Sequence, residues 1–234
     1  FATSDNTAIA GADYTSTSGT LSFAAGETTK TFNVPVLGDL TDEIDETFNV
    51  ALSNALGATI SDGAGVGTIN DDDDPPTLSV NDVTVTEGNA GSVNAAFTVT
   101  LSSLSEKAIS VDYVTSNDSA ESGTDYTSAS GTLSFAAGEL TKTFNVSVLG
   151  DLVDEIDETY NVTLSNPSNA TILDAAGVGT ITDDDLAPTL SINDVTVTEG
   201  NAGSVNATFT VSLSAASGQV VRVDYATSDI EAVA

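Results

Sequence analysis

Residues 123–166 read GTDYTSASGTLSFAAGELTKTFNVSVLGDLVDEIDETYNVTLSN, and residues 11–54 read GADYTSTSGTLSFAAGETTKTFNVPVLGDLTDEIDETFNVALSN. Phe135 lies 112 positions after Phe23, as Asp151 does after Asp39, Asp183 after Asp71 and Glu199 after Glu87, with no gap between. Self-similarity at a fixed period decides architecture before any single residue does. Solenoids repeat every ~20–50 residues, whereas this period is the size of a whole domain of about 100 residues. The chain is therefore read as a string of like units. Residues 77–185 form a complete unit, residues 1–73 a partial copy lacking the opening strands, and residues 189–234 a partial copy holding only those strands.

Apolar and polar residues alternate with a period of two inside the quoted stretch. Phe144, Val146 and Val148 alternate with Asn145 and Ser147, and Tyr160, Val162 and Leu164 follow in the same way. Working outward, Leu133 and Phe135, Ile109 to Tyr113, Phe97 to Leu101, Leu78 to Val85 and Val178 to Ile181 complete a strand set. No stretch sustains a helical period. About seven short strands in a unit of this length predict an all-β fold of tandem immunoglobulin-like, antiparallel sandwiches. Ala136–Glu139 and Gly88–Gly91 are turn sequences between strands. Phe23, Phe32, Phe97, Phe135, Phe144 and Tyr160 fall at inward strand positions and are expected in the core. The joints, Asp73–Pro76 and Leu186–Pro188, are short and proline-stiffened.

Charge narrows the partners. There are 35 acidic residues against 4 basic ones, for a net charge of −31. Nucleic acid and anionic membrane surfaces both require cationic footprints, so neither is expected as a partner. The 40% apolar content supplies strand cores, so the acidity is no sign of disorder. The chain has neither Cys nor His, which removes disulfides and the preferred ligands of zinc and copper. No apolar run approaches the ~18 residues of a spanning helix, and no membrane insertion is expected. The chain begins at Phe1 without Met and stops at Ala234 within a repeat, so it is read as a piece of a longer protein.

The acids gather at turn positions. Glu87 follows an early strand, Asp125 precedes another, and Asp151, Asp154, Glu155, Asp157 and Glu158 crowd one loop. Asp183, Asp184 and Asp185 end the last strand. Strand ends of an antiparallel sandwich face one of two poles, so acids from separate loops can meet at one pole. There they repel one another unless a cation intervenes. Calcium takes six to eight oxygens in flexible geometry and suits such loops better than magnesium, which prefers a tight octahedron. Solvated surface charge is the competing reading. A glycosidase pair among Asp154, Glu155, Asp157 and Glu158 would need a cleft, and the glycines lack the lysine of a phosphate loop. No enzymatic activity is expected.

The strings VTVTEG (83–88), the quoted stretch and GVGTITDDD (177–185) together resemble the Calx-beta domain, the calcium-binding module of sodium–calcium exchangers. The resemblance implies a seven-stranded sandwich with calcium at one end. Its ligands would fall on Glu87, Asp125, Asp151, Glu155, Asp183, Asp184 and Asp185, with Glu158 beside them. The first copy would offer Asp13, Asp39, Glu43, Asp71, Asp72 and Asp73, and the third copy Glu199. Consecutive acids of the exchanger modules are replaced here by Gly150-Asp151, so one ligand is missing.

These features predict a calcium-binding structural repeat of a large secreted or cell-surface, adhesin-like bacterial protein, with calcium stiffening unit ends and joints. The alternative is a calcium-sensing regulatory module attached to a membrane transporter. Neighbouring repeats are expected partners. The strands of the third copy match what the first copy lacks, which also predicts head-to-tail strand complementation between molecules.

Overall fold

Alternation along the strands becomes burial in the computed structural model, which describes residues 1–228. Phe144, Val146 and Val148 are buried while Asn145 faces solvent, and the same rhythm runs through the neighbouring strands. No helix occurs among the described residues, and none is long and apolar enough to cross a membrane.

The first unit contributes β1 (Ala2–Asp5), β2 (Glu46–Ala51) and β3 (Ala64–Ile69) as a three-stranded sheet in the order β1-β2-β3. The middle unit holds β4 (Thr77–Val80), β5 (Val83–Thr86), β6 (Gly91–Leu101), β7 (Ile109–Asn117), β8 (Tyr126–Thr127), β9 (Ser130–Phe135), β10 (Thr141–Gly150), β11 (Glu158–Ser168), β12 (Thr171–Asp174) and β13 (Ala176–Thr182). The third unit holds β14 (Leu190–Ile192) and β15 (Val211–Leu213), paired antiparallel.

Two five-stranded sheets face each other in the middle unit, ordered β12-β4-β6-β10-β8 and β5-β13-β11-β7-β9. The expected seven strands are all present if β4 and β5 are counted as one opening strand. The short β8 and β12 extend the sheet edges beyond what alternation revealed. The opening strand changes sheets at Asn81-Asp82: β4 runs antiparallel to β6, and β5 runs parallel to β13. Side chains bridge the gap in the ladder there. Asn81 Oδ1 accepts the Thr98 N–H at 2.6 Å, and Asp82 Oδ1 accepts the Val178 N–H at 2.8 Å. This switch carries β5 along β13, so both strands end at the same pole.

Between the sheets lie Leu78, Phe97, Val99, Val111, Val146, Val148, Tyr160 and Val162, all fully buried. Phe97 stacks on Phe144 at 5.4 Å and meets the Tyr160 ring edge-on at 6.1 Å. Burial of each such side chain is worth about 1.5–3 kcal/mol, so the core suffices without disulfides. The first unit is thinner, with a core of Ala8, Tyr14 and Phe48. Two expected core aromatics depart from the reading there. Phe23 is 54% exposed, and Phe32 is half-buried against Phe1 with ring centroids 3.9 Å apart. Their counterparts Phe135 and Phe144 are buried because a second sheet covers them, and no strand among the described residues does so in the first unit.

Candidate metal centre

Thr86 pairs with Thr182 in the parallel β5–β13 ladder, and the next residue of each strand is an acid. Glu87 and Asp183 therefore leave the sheet side by side, with Asp185 two residues further on. Oxygens of Glu87, Asp183 and Asp185 all lie within 4.8 Å of one another. Glu87 is 4% exposed, yet its Oε1 has no hydrogen-bond partner, and neither does Asp185 Oδ2. Orphaned buried oxygens cost about 1–3 kcal/mol each, more when charged. A hard cation satisfies such oxygens, so the donor set fits calcium.

A second group joins Asp125, ahead of β8, to Glu155 of the loop after β10 and Glu158 at the start of β11, again within 4.8 Å. The Glu121 N–H donates to Asp125 Oδ2 at 2.6 Å and fixes that carboxylate. Asp151 belongs to neither trio. Its Oδ1 accepts the Val153 N–H at 2.6 Å, and its charge is the foremost among those acting on both Glu87 and Glu155. Asp151 thus stands electrostatically between the two groups.

Like charge at this pole raises proton affinity. Burial first, then Asp151, Glu155, Asp183 and Asp185, pushes Glu87 up to about 7. Burial, followed by the hydrogen bond and charge of Asp125, pushes Glu158 up to about 7. Glu155 moves in the same direction, through burial and then Asp151 and Asp125. No ion pair among the described residues involves these acids.

The Asp183–Asp185 run divides its work. Asp184 Oδ1 accepts the Gly88 N–H at 3.0 Å, and Asn89 Nδ2 donates to Asp185 Oδ1 at 2.9 Å. Asp184 therefore fastens the Glu87 loop and does not join the trio. The Gly150-Asp151 departure also has a steric cause. A Cβ at Gly150 would lie 1.9 Å from the Gly88 carbonyl oxygen, so no acidic side chain fits at that position on this backbone.

In the first unit, Asp13 and Glu43 converge with Glu46, a residue absent from the expected set. The repeat itself pointed to it, because Glu46 lies 112 positions before Glu158. Burial, then Asp39 and Glu106, pushes Glu43 up to about 7. Asp39, Asp71, Asp72 and Asp73 lie outside this trio but line, with Glu43 and Glu46, one cavity of about 110 Å³. Among the described residues, none stands beside Asp71 as Glu87 stands beside Asp183. Burial works against its charge, yet the Glu43 backbone and Lys107 hold its carboxyl below the ordinary value. Glu199 is exposed and joins no acidic group among the described residues.

The loop carrying these acids also grips the next unit, through residues that alternation gives no means of finding. Asp42 is 1% exposed. Its Oδ2 accepts the Ser105 hydroxyl at 2.7 Å, its Oδ1 accepts Lys107 Nζ at 2.7 Å, and its carbonyl accepts the Glu106 N–H at 3.0 Å. Lys107 Nζ reaches Asp71 Oδ2 as well, at 3.2 Å. At the second joint, Asp154 Oδ2 accepts the Ser217 hydroxyl at 2.9 Å and its carbonyl accepts the Gly218 N–H at 2.9 Å. Gln219 Nε2 donates to the Glu155 carbonyl at 3.0 Å.

Against this geometry, the sequence matches the model of the Calx-beta domain over residues 1–68 and 71–186. Sodium/calcium exchanger 1 of Canis lupus familiaris is 31% identical over 188 residues, which cover 71% of this chain and 19% of the exchanger. The Rattus norvegicus exchanger is 30% identical over the same shares. The chain thus spans about a fifth of the length of the curated relatives it matches. Among solved structures, the apo-form Calx CBD1 domain is 29% identical, covering 47% of this chain and 98% of its own, with a TM-score of 0.41. CBD12 from CALX1.2 is 27% identical, covering 54% of this chain and 53% of its own, with a TM-score of 0.44.

Proposed function

Because this chain belongs to the Calx-beta domain family, we propose that its acidic poles hold calcium and that the units are calcium-stiffened structural repeats. Calx-beta domains are calcium-binding modules. One observation carries the reading for this chain: Glu87 is buried beside Asp183 and Asp185 with an oxygen that no protein group satisfies. Calcium supplies the positive charge and oxygen coordination that such a set requires. Glu87, Asp183 and Asp185 would hold one ion, and Asp125, Glu155 and Glu158 another, with Asp151 shared between them. Asp13, Glu43 and Glu46 would serve the first unit, with Asp39 and the Asp71–Asp73 run beside them.

The units in this reading are residues 77–185, complete, and residues 1–73 and 189–234, partial. Asp183 and Asp185 directly precede the short joint, and Asp154 of the ligand loop grips the following unit. Neutralising the pole therefore firms the same segments that orient the next repeat. Near-identical tandem copies suit a spacer, in which every unit does one mechanical job. The setting we infer is a large secreted or cell-surface bacterial protein of adhesin type.

The exchanger relatives favour a second reading, a calcium-sensing regulatory module on a membrane transporter. Affinity separates the two. Extracellular modules bind calcium at about 10⁻⁴–10⁻³ M, whereas sensors bind at about 10⁻⁷–10⁻⁵ M. Calorimetric titration of the 234-residue chain is expected to give calcium heat in the weaker range. Affinity in the sensor range would shift the reading to regulation. Equal stabilisation by sodium and calcium at matched ionic strength would remove specific binding altogether.

A further inference from the structure

We propose that β9 is a homophilic edge: a second copy of this chain adds its own β9 there, antiparallel, with Thr132 of one copy facing Thr132 of the other. This goes beyond the calcium reading and does not depend on it. Every residue of the contact lies in the complete middle unit, outside the acidic groups.

The register of β7 and β9 decides which backbone groups are free. Ile109 pairs with Phe135, Val111 with Leu133 and Tyr113 with Gly131. In the same register the Thr115 N–H donates to the Ala129 carbonyl. Antiparallel ladders bond alternate pairs, so Gly131, Leu133 and Phe135 point their N–H and C=O groups at β7. Ser130, Thr132 and Ser134 therefore point theirs away from the sheet. β9 is the last strand of its sheet, and no strand among the described residues lies beyond it. A neighbouring unit does not cover the edge either. Ser18, Thr20 and Ser22 hold the same places in the first unit and stay exposed, although a complete unit follows them.

Open edges are ordinarily blunted by charge, proline, a bulge or brevity. The other three edges of the middle unit obey that rule. β5 has four residues set between Asp82 and Glu87, β12 has four and ends on Asp174, and β8 has two that follow Asp125. β9 departs from it. Its six residues include no charge and no proline, its register with β7 runs without a bulge, and alanines flank it on both sides. A chain with 35 acidic residues leaves this edge bare.

The occupant is a second copy because the strand complements itself. With Thr132 on the two-fold axis, Ser130 meets Ser134 of the other copy, and the outward residues read Ser-Thr-Ser in either direction. Hydroxyl pairs of this kind hydrogen-bond across strands. On the opposite face, Leu133 of one copy meets Gly131 of the other, large against small. Gly131 has no room for a side chain of its own, since a Cβ there would lie 3.1 Å from Tyr113 Cε1 and from its hydroxyl. Leu133 thus closes over a tyrosine that is only half-buried in one copy.

Charge does not oppose the contact. The acid facing β9 is Asp112, whose carboxylate accepts the Thr132 hydroxyl and the Asn166 amide. Two Asp112 residues across the joined sheets stand three strand spacings apart, about 14 Å. That exceeds the screening length of about 8 Å at physiological salt. Glu139, in the turn after β9, is matched by Lys142 at 2.7 Å. Two six-residue strands bury less than the ~1,200 Å² of a stable interface, so a single contact is weak. The same string at Ser18–Phe23 offers a second edge on each chain, and repetition strengthens weak contacts.

Sedimentation of the full chain over a wide concentration range tests the association, at physiological salt and in EDTA so that no metal bridge contributes. We expect the mass to rise from one chain towards two. Thr20→Pro with Thr132→Pro should stay at one-chain mass, because proline removes the outward N–H and spares the bonds to β7. Cysteines test the register. The protein has none, so a single Thr132→Cys can form a disulfide only between copies. The Cα atoms of a hydrogen-bonded pair lie about 5.5 Å apart, within the ~4.4–6.8 Å that a disulfide spans. Under mild oxidation Thr132→Cys should dimerise about tenfold faster than Thr84→Cys on the β5 edge. Ser130→Cys, exposed on the same strand but facing Ser134, should lag as Thr84→Cys does. One-chain mass at every concentration overturns the proposal, as does association that survives both prolines. Equal rates for Thr132→Cys and Ser130→Cys overturn the two-fold pairing.

Discussion

At the first joint, Asp42 meets Ser105 and the ammonium of Lys107; at the second, Asp154 meets Ser217 and the amide of Gln219. Loop, hydroxyl and backbone hydrogen bond are common to both, so the grip itself belongs to the repeat. The difference lies in who neutralises the acids. Lys107 bridges Asp42 and Asp71, the first acid of its Asp run, whereas Asp183 at the equivalent place has no such cation. Position 106 sharpens the contrast. Glu106 adds negative charge next to Glu43, while Gly218 lets its backbone approach Glu155, where a Cβ would lie 2.9 Å from Cγ. One joint carries a built-in counter-charge, and the other is held by neutral hydrogen-bond donors.

The largest effect should come from removing the grip. Asp42→Ala strands a buried hydroxyl and an ammonium, and hydrogen bonds to charged groups are worth about 1.5–3 kcal/mol. Asp154→Ala loses a partly buried hydroxyl contact and should cost about 1 kcal/mol. Small-angle scattering should show the first variant bending more freely than the second. Equal flexibility in both would mean that the charge at Lys107 adds nothing.

Calcium removal should invert that order. Binding to the folded state adds about 1.4 kcal/mol per site at tenfold saturation. EDTA should therefore lower the melting temperature by several degrees and raise the radius of gyration. The loosening should concentrate at the second joint, where no lysine stands by. Loosening confined to the first joint would break the comparison.

Proton binding offers a milder probe of the same poles. Glu87 and Glu158 rise from 4.5 to about 7 on folding, so the metal-free fold binds protons that the unfolded chain has released. Their stabilising contribution is complete below about 4.5 and is lost as pH climbs through about 7. In EDTA the chain should melt lower at about pH 8 than at about pH 5, and calcium should flatten or reverse the trend. Carboxyls held low, such as Asp112 beside Thr132 and Glu139 beside Lys142, act below this window. Melting curves that do not change between those pH values would show the poles to be solvated.

Much of this was legible in the residues because one offset maps each unit onto the next. Strand rhythm placed Phe97, Phe144 and Tyr160 inside, and turn positions gathered Glu87, Asp125 and Asp183 at one pole. The loop Asp154–Glu158 shows where reading stops. Glu155 and Glu158 turn into the pole, Asp157 Oδ1 accepts the Asp183 N–H at 3.2 Å, and Asp154 leaves for the next unit. Four carboxylates thus do three jobs, and no periodicity distinguishes them in an irregular loop. Asp184 looks like its neighbours for the same reason, although its oxygen caps Gly88. Phe23 shows the converse limit. Its pattern is that of a core residue, but burial needs a covering sheet that the residue cannot announce.

The smallest expected change is also the most direct exchange between the joints. Lys107→Gln gives the first joint the residue of the second, and Gln219→Lys does the reverse. The Lys107 side chain is 27% exposed, so its pair with Asp42 is worth only about 1 kcal/mol after solvent screening. The energy is modest, but the salt response is specific. In EDTA, the native first joint should loosen as salt rises, because screening weakens the ammonium–carboxylate pair. In Lys107→Gln the sign should flip, since only repulsion between Asp42 and Asp71 remains to be screened. Gln219→Lys should make the second joint hold without calcium. Scattering across a salt series reads both. If the two variants keep the native salt response, the joints differ in sequence alone and not in what holds them.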